Sequence, residues 1–186
     1  GLFLINFNNQ YDSNQTNDTV TARGKTRHSG LETQTRYDLG DLNPQLENLS
    51  VYASYAYVNA VIREKGDTYG NQVPFSPRHK GTLGVDYKPG NWTFNLNSDF
   101  QSSQFADNAN TVEESADGSN GRIPGYMLWG ARVAYDFGPQ MANLNLAFGV
   151  KNIFDHEYYT RSYDDNNKGI YVGQPRTLYL QGAMTF

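Results

Sequence analysis

Three histidines, His28, His79 and His156, are the first residues to test for proton transfer or metal ligation. They sit on three separate segments, and the chain has no cysteine, so no thiolate site and no zinc-type spacing is spelled out. Asp155-His156 pairs an acid with an imidazole and could serve a hydrolase assembled at a rim. No Gly-x-Ser-x-Gly elbow supplies the nucleophile, however, and an exposed histidine is the simpler reading. The run DDNNKG at 164–169 opens like a calcium loop. Lys168 then falls at the fifth ligand position and Pro175 at the twelfth, where a bidentate glutamate is needed, and the match fails. A net charge of −4 with no Lys/Arg run offers nucleic acid nothing to bind. These residues predict no enzyme, no metal site and no cofactor.

The elements that would carry any site are strands. From Pro175 onward Leu178, Leu180, Gly182, Met184 and Phe186 fall on one face, and Thr177, Tyr179, Gln181, Ala183 and Thr185 on the other. The stretch stops on an aromatic with no polar tail to cover it. Similar alternation predicts seven earlier strands, at 1–11, 23–39, 49–62, around 82–88, 92–101, 127–137 and 144–151. Long polar loops are expected at 12–19, 63–73, 106–122 and 155–174, and short turns at 40–48, 89–91 and 138–142. Long and short connections alternate, as in an antiparallel up-and-down meander. No segment has helical period, and no run approaches the roughly 20 apolar residues of a membrane helix. Residues 1–10 lack a basic n-region and a cleavage site, and read as a strand already under way in something longer.

Alternation does not say which face is inside. One face is apolar and aromatic; the other carries Glu32, Arg36, Asp38, Asp86, Lys88, Asp99, Arg132 and Lys151. A soluble barrel would bury the first, a transmembrane barrel the second. The loop asymmetry favours the membrane, as does the clustering of Tyr37, Tyr57, Tyr87, Trp92, Tyr135, Phe137 and Phe186 towards the strand ends. The expectation is an all-β, antiparallel transmembrane barrel wall in an outer membrane.

Specific motifs extend this reading. Asn152-Ile153-Phe154-Asp155 followed by Tyr158 resembles the NLFD-x-x-Y signature of TonB-dependent outer-membrane receptors. Gly173-Gln174-Pro175-Arg176-Thr177 resembles that family's G-x-P-R closing element. Gly30-Leu31-Glu32 is similar to its G-x-E strand, and Pro74-Phe75-Ser76-Pro77-Arg78-His79-Lys80 to its P-x-x-P-x-H/K segment. The resemblance covers the whole chain, and in 11–27 and 162–171 it is to the branch that takes ferric citrate. It implies the eight C-terminal strands of a 22-stranded barrel whose plug and N-terminal strands lie outside residues 1–186. The implied partners are a ferric siderophore, ferric citrate above all, the lipid bilayer, the rest of the receptor including the plug, and the TonB complex acting through the missing N-terminal part. The competing reading is a self-contained eight-stranded barrel with a structural or adhesive role, which would join its first strand to its last.

Given that resemblance, the ligand would be a compact anionic iron chelate, which calls for N–H donors and guanidinium forks. Asn14 and Gln15 are the candidate ligand-binding residues, each able to donate an amide N–H to a citrate carboxylate. Arg63, Lys65, Arg161 and Lys168 could steer an anion over the mouth, with rim solvation the simpler role. Arg176 is expected to tie a loop base to the wall, and Asn152 and Asp155 to cap the strand end and turn.

Overall fold

The computed structural model describes residues 1–14, 19–116, 118, 120–163 and 169–184; for 10–14, 19–23 and 162–163 only the backbone is described. The strands are β1 (Leu2–Asn14), β2 (Thr19–Asp38), β3 (Leu49–Ile62), β4 (His79–Tyr87), β5 (Trp92–Gln101), β6 (Gln104–Phe105), β7 (Arg122–Ile123), β8 (Tyr126–Asp136), β9 (Asn145–Lys151), β10 (Tyr159–Tyr163), β11 (Gly169–Val172) and β12 (Thr177–Ala183). Eight of them make one antiparallel sheet in the order β1-β2-β3-β4-β5-β8-β9-β12. β6–β7 and β10–β11 are small hairpins inside two of the long loops. Among the described residues no ladder joins β1 to β12. The self-contained barrel is therefore ruled out, because closure would pair those two strands and the wall instead leaves both edges open.

The long register of the sheet sorts residues into rows. Leu49, Tyr87, Phe94, Val133, Phe148 and Leu180 stand opposite one another across six strands. Higher up run Thr35, Ala53, Leu83, Ser98 and Trp129, and above them Leu31, Tyr57 and His79. This apolar face is uncovered: Leu83 is 54% exposed and Leu180 77%. Of its polar members, Ser98 is closed off from the surroundings. The only cluster of buried apolar side chains among the described residues is Ala60, Ile62 and Val73, near the end of β3. A soluble β protein would have packed the rings together; here they face outward. The greasy side is the bilayer side.

Its height fits. Eight residue steps along β3 take Leu49 to Tyr57, or about 27 Å of strand. A tilt of about 40° leaves roughly 20 Å along the membrane normal, close to the apolar band of an outer-membrane barrel. Aromatic rings border the band on both sides. Below, Trp92 lies 5.9 Å from Phe94 and 4.7 Å from Tyr135, which is 4.8 Å from Phe137. Above, Tyr57 lies 5.3 Å from His79, whose Nδ1 is 2.7 Å from the Tyr55 hydroxyl. Phe186 lies outside the described residues.

The short turns follow from local chemistry. Asn43 Oδ1 accepts from Gln45 N at 3.0 Å to start a 3-10 turn at Pro44–Leu46, and Gly90 takes a positive φ of 58° between β4 and β5. The first long loop is shorter than its composition predicts. Asp12, Ser13 and Asn14 continue the ladder opposite Thr21, Val20 and Thr19. Above the membrane neither face must be apolar, so residues that usually break strands extend one.

Leu83 sits midway between the two aromatic borders, whereas Leu180 shares the lower row with Tyr87 and Phe94. A lysine at Leu83 should therefore cost about 2–4 kcal/mol and one at Leu180 about 0–1 kcal/mol. Equilibrium urea unfolding of the intact receptor in lipid vesicles measures both; equal penalties would refute the assigned depth.

Candidate functional site

The polar face and the loops above it form the site, in two tiers. On the wall, Arg36 of β2 donates through Nη2 to Asp86 Oδ2 of β4 and to Ser50 Oγ of β3, both at 2.6 Å. Asn95 of β5 donates through Nδ2 to Asp86 Oδ1 at 2.7 Å and to the Tyr52 hydroxyl at 3.0 Å. Four strands share this network, and the buried Asp86 is neutralised within it. Closer to the mouth, Asp99 accepts from Thr82 Oγ1 at 2.5 Å and from Asn97 Nδ2 at 3.1 Å. Two tyrosines lie flat on glycines directly opposite them: Tyr52 on Gly84 and Tyr179 on Gly149. A methyl at either glycine would come 2.2 Å from the ring, so only glycine admits this stacking.

The upper tier ties three loops together. Asn110, at φ 56°, pairs with the backbone of Gln72: Gln72 N donates to Asn110 Oδ1 at 2.7 Å, and Asn110 Nδ2 donates to Gln72 O at 2.8 Å. Asn71 Nδ2 donates to the Asn108 carbonyl, and Phe75 N to the Phe105 carbonyl, both at 2.9 Å. Gln104 is buried and donates through Nε2 to the Thr160 carbonyl at 2.8 Å. The Tyr159 hydroxyl donates to Glu114 Oε1 at 2.7 Å, and the Arg161 guanidinium sits 4.9 Å over the Phe75 ring.

Below this rim, the residues at 152–158 and 173–176 lock into one another. Asn152 takes φ 51° and is 5% exposed. Its Nδ2 donates to the carbonyls of His156 at 2.9 Å and Gln174 at 3.1 Å, while its Oδ1 accepts from His156 N at 2.9 Å. Asp155 Oδ1 accepts from Arg176 N at 2.7 Å, and the Arg176 guanidinium lies 3.8 Å from the other Asp155 oxygen. Gly173 N donates to the Tyr158 carbonyl at 2.7 Å. Asn152, Asp155 and Arg176 thus have the structural tasks expected of them.

The other expected site residues divide. Asn14 ends β1 opposite Thr19; its side chain and all of Gln15 lie outside the described residues, as does Lys168. Arg63 rests 5.1 Å over the Tyr69 ring and Arg161 over Phe75, so these two are held on separate aromatics. Lys65 is exposed. The histidines stay apart: His28 beside Thr26 and Phe7, His79 in the upper aromatic border, His156 exposed below the rim. Gln72, Gln104 and Asn110, which do most to join the loops, are not distinguished by the sequence. Their signal was faint, consisting of amides in loops otherwise rich in polar residues.

The barrel description "TonB dependent receptor-like, beta-barrel" matches residues 1–153. The chain belongs to the TonB-dependent receptor family. This TonB-dependent receptor barrel is 87% identical to the ferric citrate transporter FecA in its unliganded form, with a TM-score of 0.90 over 100% of this chain and 28% of that one. The metal-pseudopaline receptor CntO of Pseudomonas aeruginosa is 28% identical over 166 residues, 88% of this chain and 21% of that protein. The ferrichrome outer membrane transporter/phage receptor of Escherichia coli K12 is 25% identical over 169 residues, 88% of this chain and 20% of that protein. The chain spans about a fifth of the length of these curated relatives. It is an outer-membrane wall segment, and the apolar band described above is the part that meets lipid.

Two predictions test the loop chemistry. Asn152→Gly tolerates the positive φ but loses three hydrogen bonds, and should destabilise the receptor by about 2–3 kcal/mol. Asn152→Ala should cost about 1 kcal/mol more, because it adds left-handed strain. Urea midpoints of the two variants decide; equal losses would mean the backbone conformation contributes nothing. Separately, burial, the bond to Glu114 and that carboxylate's charge together push the Tyr159 phenol up to about 12. Its contribution to rim stability is complete below pH 10 and is lost as pH rises through about 12. The tyrosinate absorbance difference between the wild type and Tyr159→Phe should accordingly rise with a midpoint near 12, and a midpoint near 10 would show the contact absent.

Proposed function

We propose that this chain is the C-terminal barrel wall and outer loops of a receptor that imports ferric citrate, its plug and TonB-coupling segment lying in parts of the receptor beyond residues 1–186. The observation that carries the reading is the 87% identity and 0.90 TM-score to the ferric citrate transporter over the full chain. The physics agrees. A wall whose edge strands lack partners is not a pore by itself, and loops joined by amides suit a mouth that meets a polar chelate. Import would draw its energy from the TonB complex acting through the plug, and the segment alone moves nothing.

Asn14 and Gln15 act in this reading as amide donors to a citrate carboxylate. The β1–β2 ladder supports it: from Leu31 to Thr19 β2 takes twelve residue steps, about 40 Å of strand above the upper aromatic border. That reach carries Asn14, the last residue of β1, well beyond the apolar band, which favours a role for this end of the ladder in meeting a ligand from outside.

Calorimetric titration of ferric citrate into the intact receptor, its Gln15→Ala variant and its Asn14→Ala variant tests both statements. Loss of one hydrogen bond to a charged group should weaken binding about tenfold. Unchanged affinity in both variants would remove these residues from the site. A wild-type receptor that ignores ferric citrate and takes another chelate would refute the substrate.

A further inference from the structure

We infer that Arg132 and Lys151 form a carboxylate-binding site on the inner wall, below the rim. Arg132 of β8 stands opposite Gly149 of β9, and Lys151 follows two residues later on the same face. Their side chains are diagonal neighbours, with Cβ atoms about 7–8 Å apart, close enough to converge on one carboxylate or straddle two. Between them the wall carries only glycine: Gly149 beside Arg132 and Gly130 beside Lys151 on the neighbouring strand.

The result is a hollow of 340 Å³ bounded by Asn95, Asn97, Tyr158, Gln174 and Tyr179. Tyr179, flat on Gly149, holds the Lys151 ammonium 5.8 Å from its ring centre and thereby fixes its direction. Among the described residues neither cation forms a hydrogen bond or an ion pair. Asp99 also borders the hollow; its oxygens accept from the uncharged Thr82 and Asn97, it pairs with neither cation, and it offsets one of their two charges. The contrast with Arg36 is internal to the wall: that guanidinium has Asp86 at 2.6 Å, and Arg132 has no counterpart.

Two cations outside any ion pair, set against the single Asp99 carboxylate in a concave, half-enclosed surface, leave a net positive potential where it meets the lumen. Arg supplies a planar fork and Lys a point charge, a combination that suits a carboxylate. The carboxylate could come from either of two sources. One is a free polycarboxylate chelate passing along the wall, an arm that rests on the ferric citrate reading. The other is an Asp or Glu side chain of a domain seated in the lumen.

The test uses the intact receptor in outer-membrane vesicles, with three readouts: surface affinity for ferric citrate, energised uptake of radioactive iron as citrate, and leak of a small solute through the lumen. If the ligand is a free chelate, Arg132→Gln with Lys151→Gln should cut uptake about tenfold while surface affinity stays within about twofold and leak is unchanged. If it is an acidic side chain of a luminal domain, the same variant should raise leak. In either case Arg132→Lys with Lys151→Arg should restore most of the loss, since charge is retained. Should the double variant fail to insert, Arg132→Gln alone keeps the Lys151–Tyr179 contact and carries the same readouts. Uptake and leak both equal to wild type in an inserted variant would overturn the site. A wild-type receptor without affinity for ferric citrate would sink the transport reading only, leaving the leak measurement to decide this one.

Discussion

A protein wall in hydrocarbon has no water with which to satisfy its amides, so every strand must be paired on both sides. That constraint governs the rest of this structure. It selects a meander whose neighbours in sequence are neighbours in space, since each hairpin satisfies its own backbone as it forms. It also explains why the alternation is so regular through β3, β4, β5 and β8: a one-residue slip would turn Leu83 and Leu96 into the lumen and Asp86 and Asn95 into lipid. Where the constraint lapses, above the upper aromatic border, β1 and β2 continue as paired strands: Phe3, Ile5 and Phe7 still alternate along the lower part of β1, and the ladder runs on to Asn14 opposite Thr19. The same rule makes the free edges at β1 and β12 informative. Leu178 and Leu180 lie on an edge whose backbone can be satisfied in lipid only by a further strand.

Within that frame the glycines do specific work. Gly84 and Gly149 each receive the ring of a tyrosine from the adjacent strand, which lets an aromatic lie against the wall instead of projecting into the lumen. Each such ring in turn has a cation near its face, Arg36 at 5.7 Å from Tyr52 and Lys151 at 5.8 Å from Tyr179. The wall is thereby kept smooth on its inner side, with its polar groups held at set heights.

Much of this was legible in the residues. Strict alternation placed β3 and β5 at their true bounds, and the Pro89-Gly90 turn was unambiguous because proline cannot continue the ladder and glycine takes the required positive φ without strain. The roles of Asn152, Asp155 and Arg176 also followed from residue type: an amide for a left-handed turn, and a carboxylate and a guanidinium that find each other. What could not be read was the joining of the loops. Asn110 and Gln72 are 38 positions apart, and Gln104 reaches Thr160 across 56. No periodicity spans such gaps, and an amide that will pair with a distant backbone looks the same in sequence as one that will meet water. The small hairpins β6–β7 and β10–β11 were missed for a related reason: two to five residues are too few to establish a period.

The inner face shows how a barrel divides its charges between stability and use. In the quarter built by β2 to β5, Arg36, Ser50, Tyr52, Asp86 and Asn95 satisfy one another completely enough that Asp86 can be buried. Burying a carboxylate this way requires its partners to be fixed in advance, and the register fixes them: Ser50 and Asn95 face Asp86 from either side. On β8 and β9 the corresponding heights carry Arg132 and Lys151 and no acid of their own. A half-buried guanidinium without an ion pair is left free to meet a carboxylate that arrives from the lumen. Asp99 of β5 borders the same hollow without pairing with either cation, so two positive charges stand against one negative there and the surplus faces the lumen.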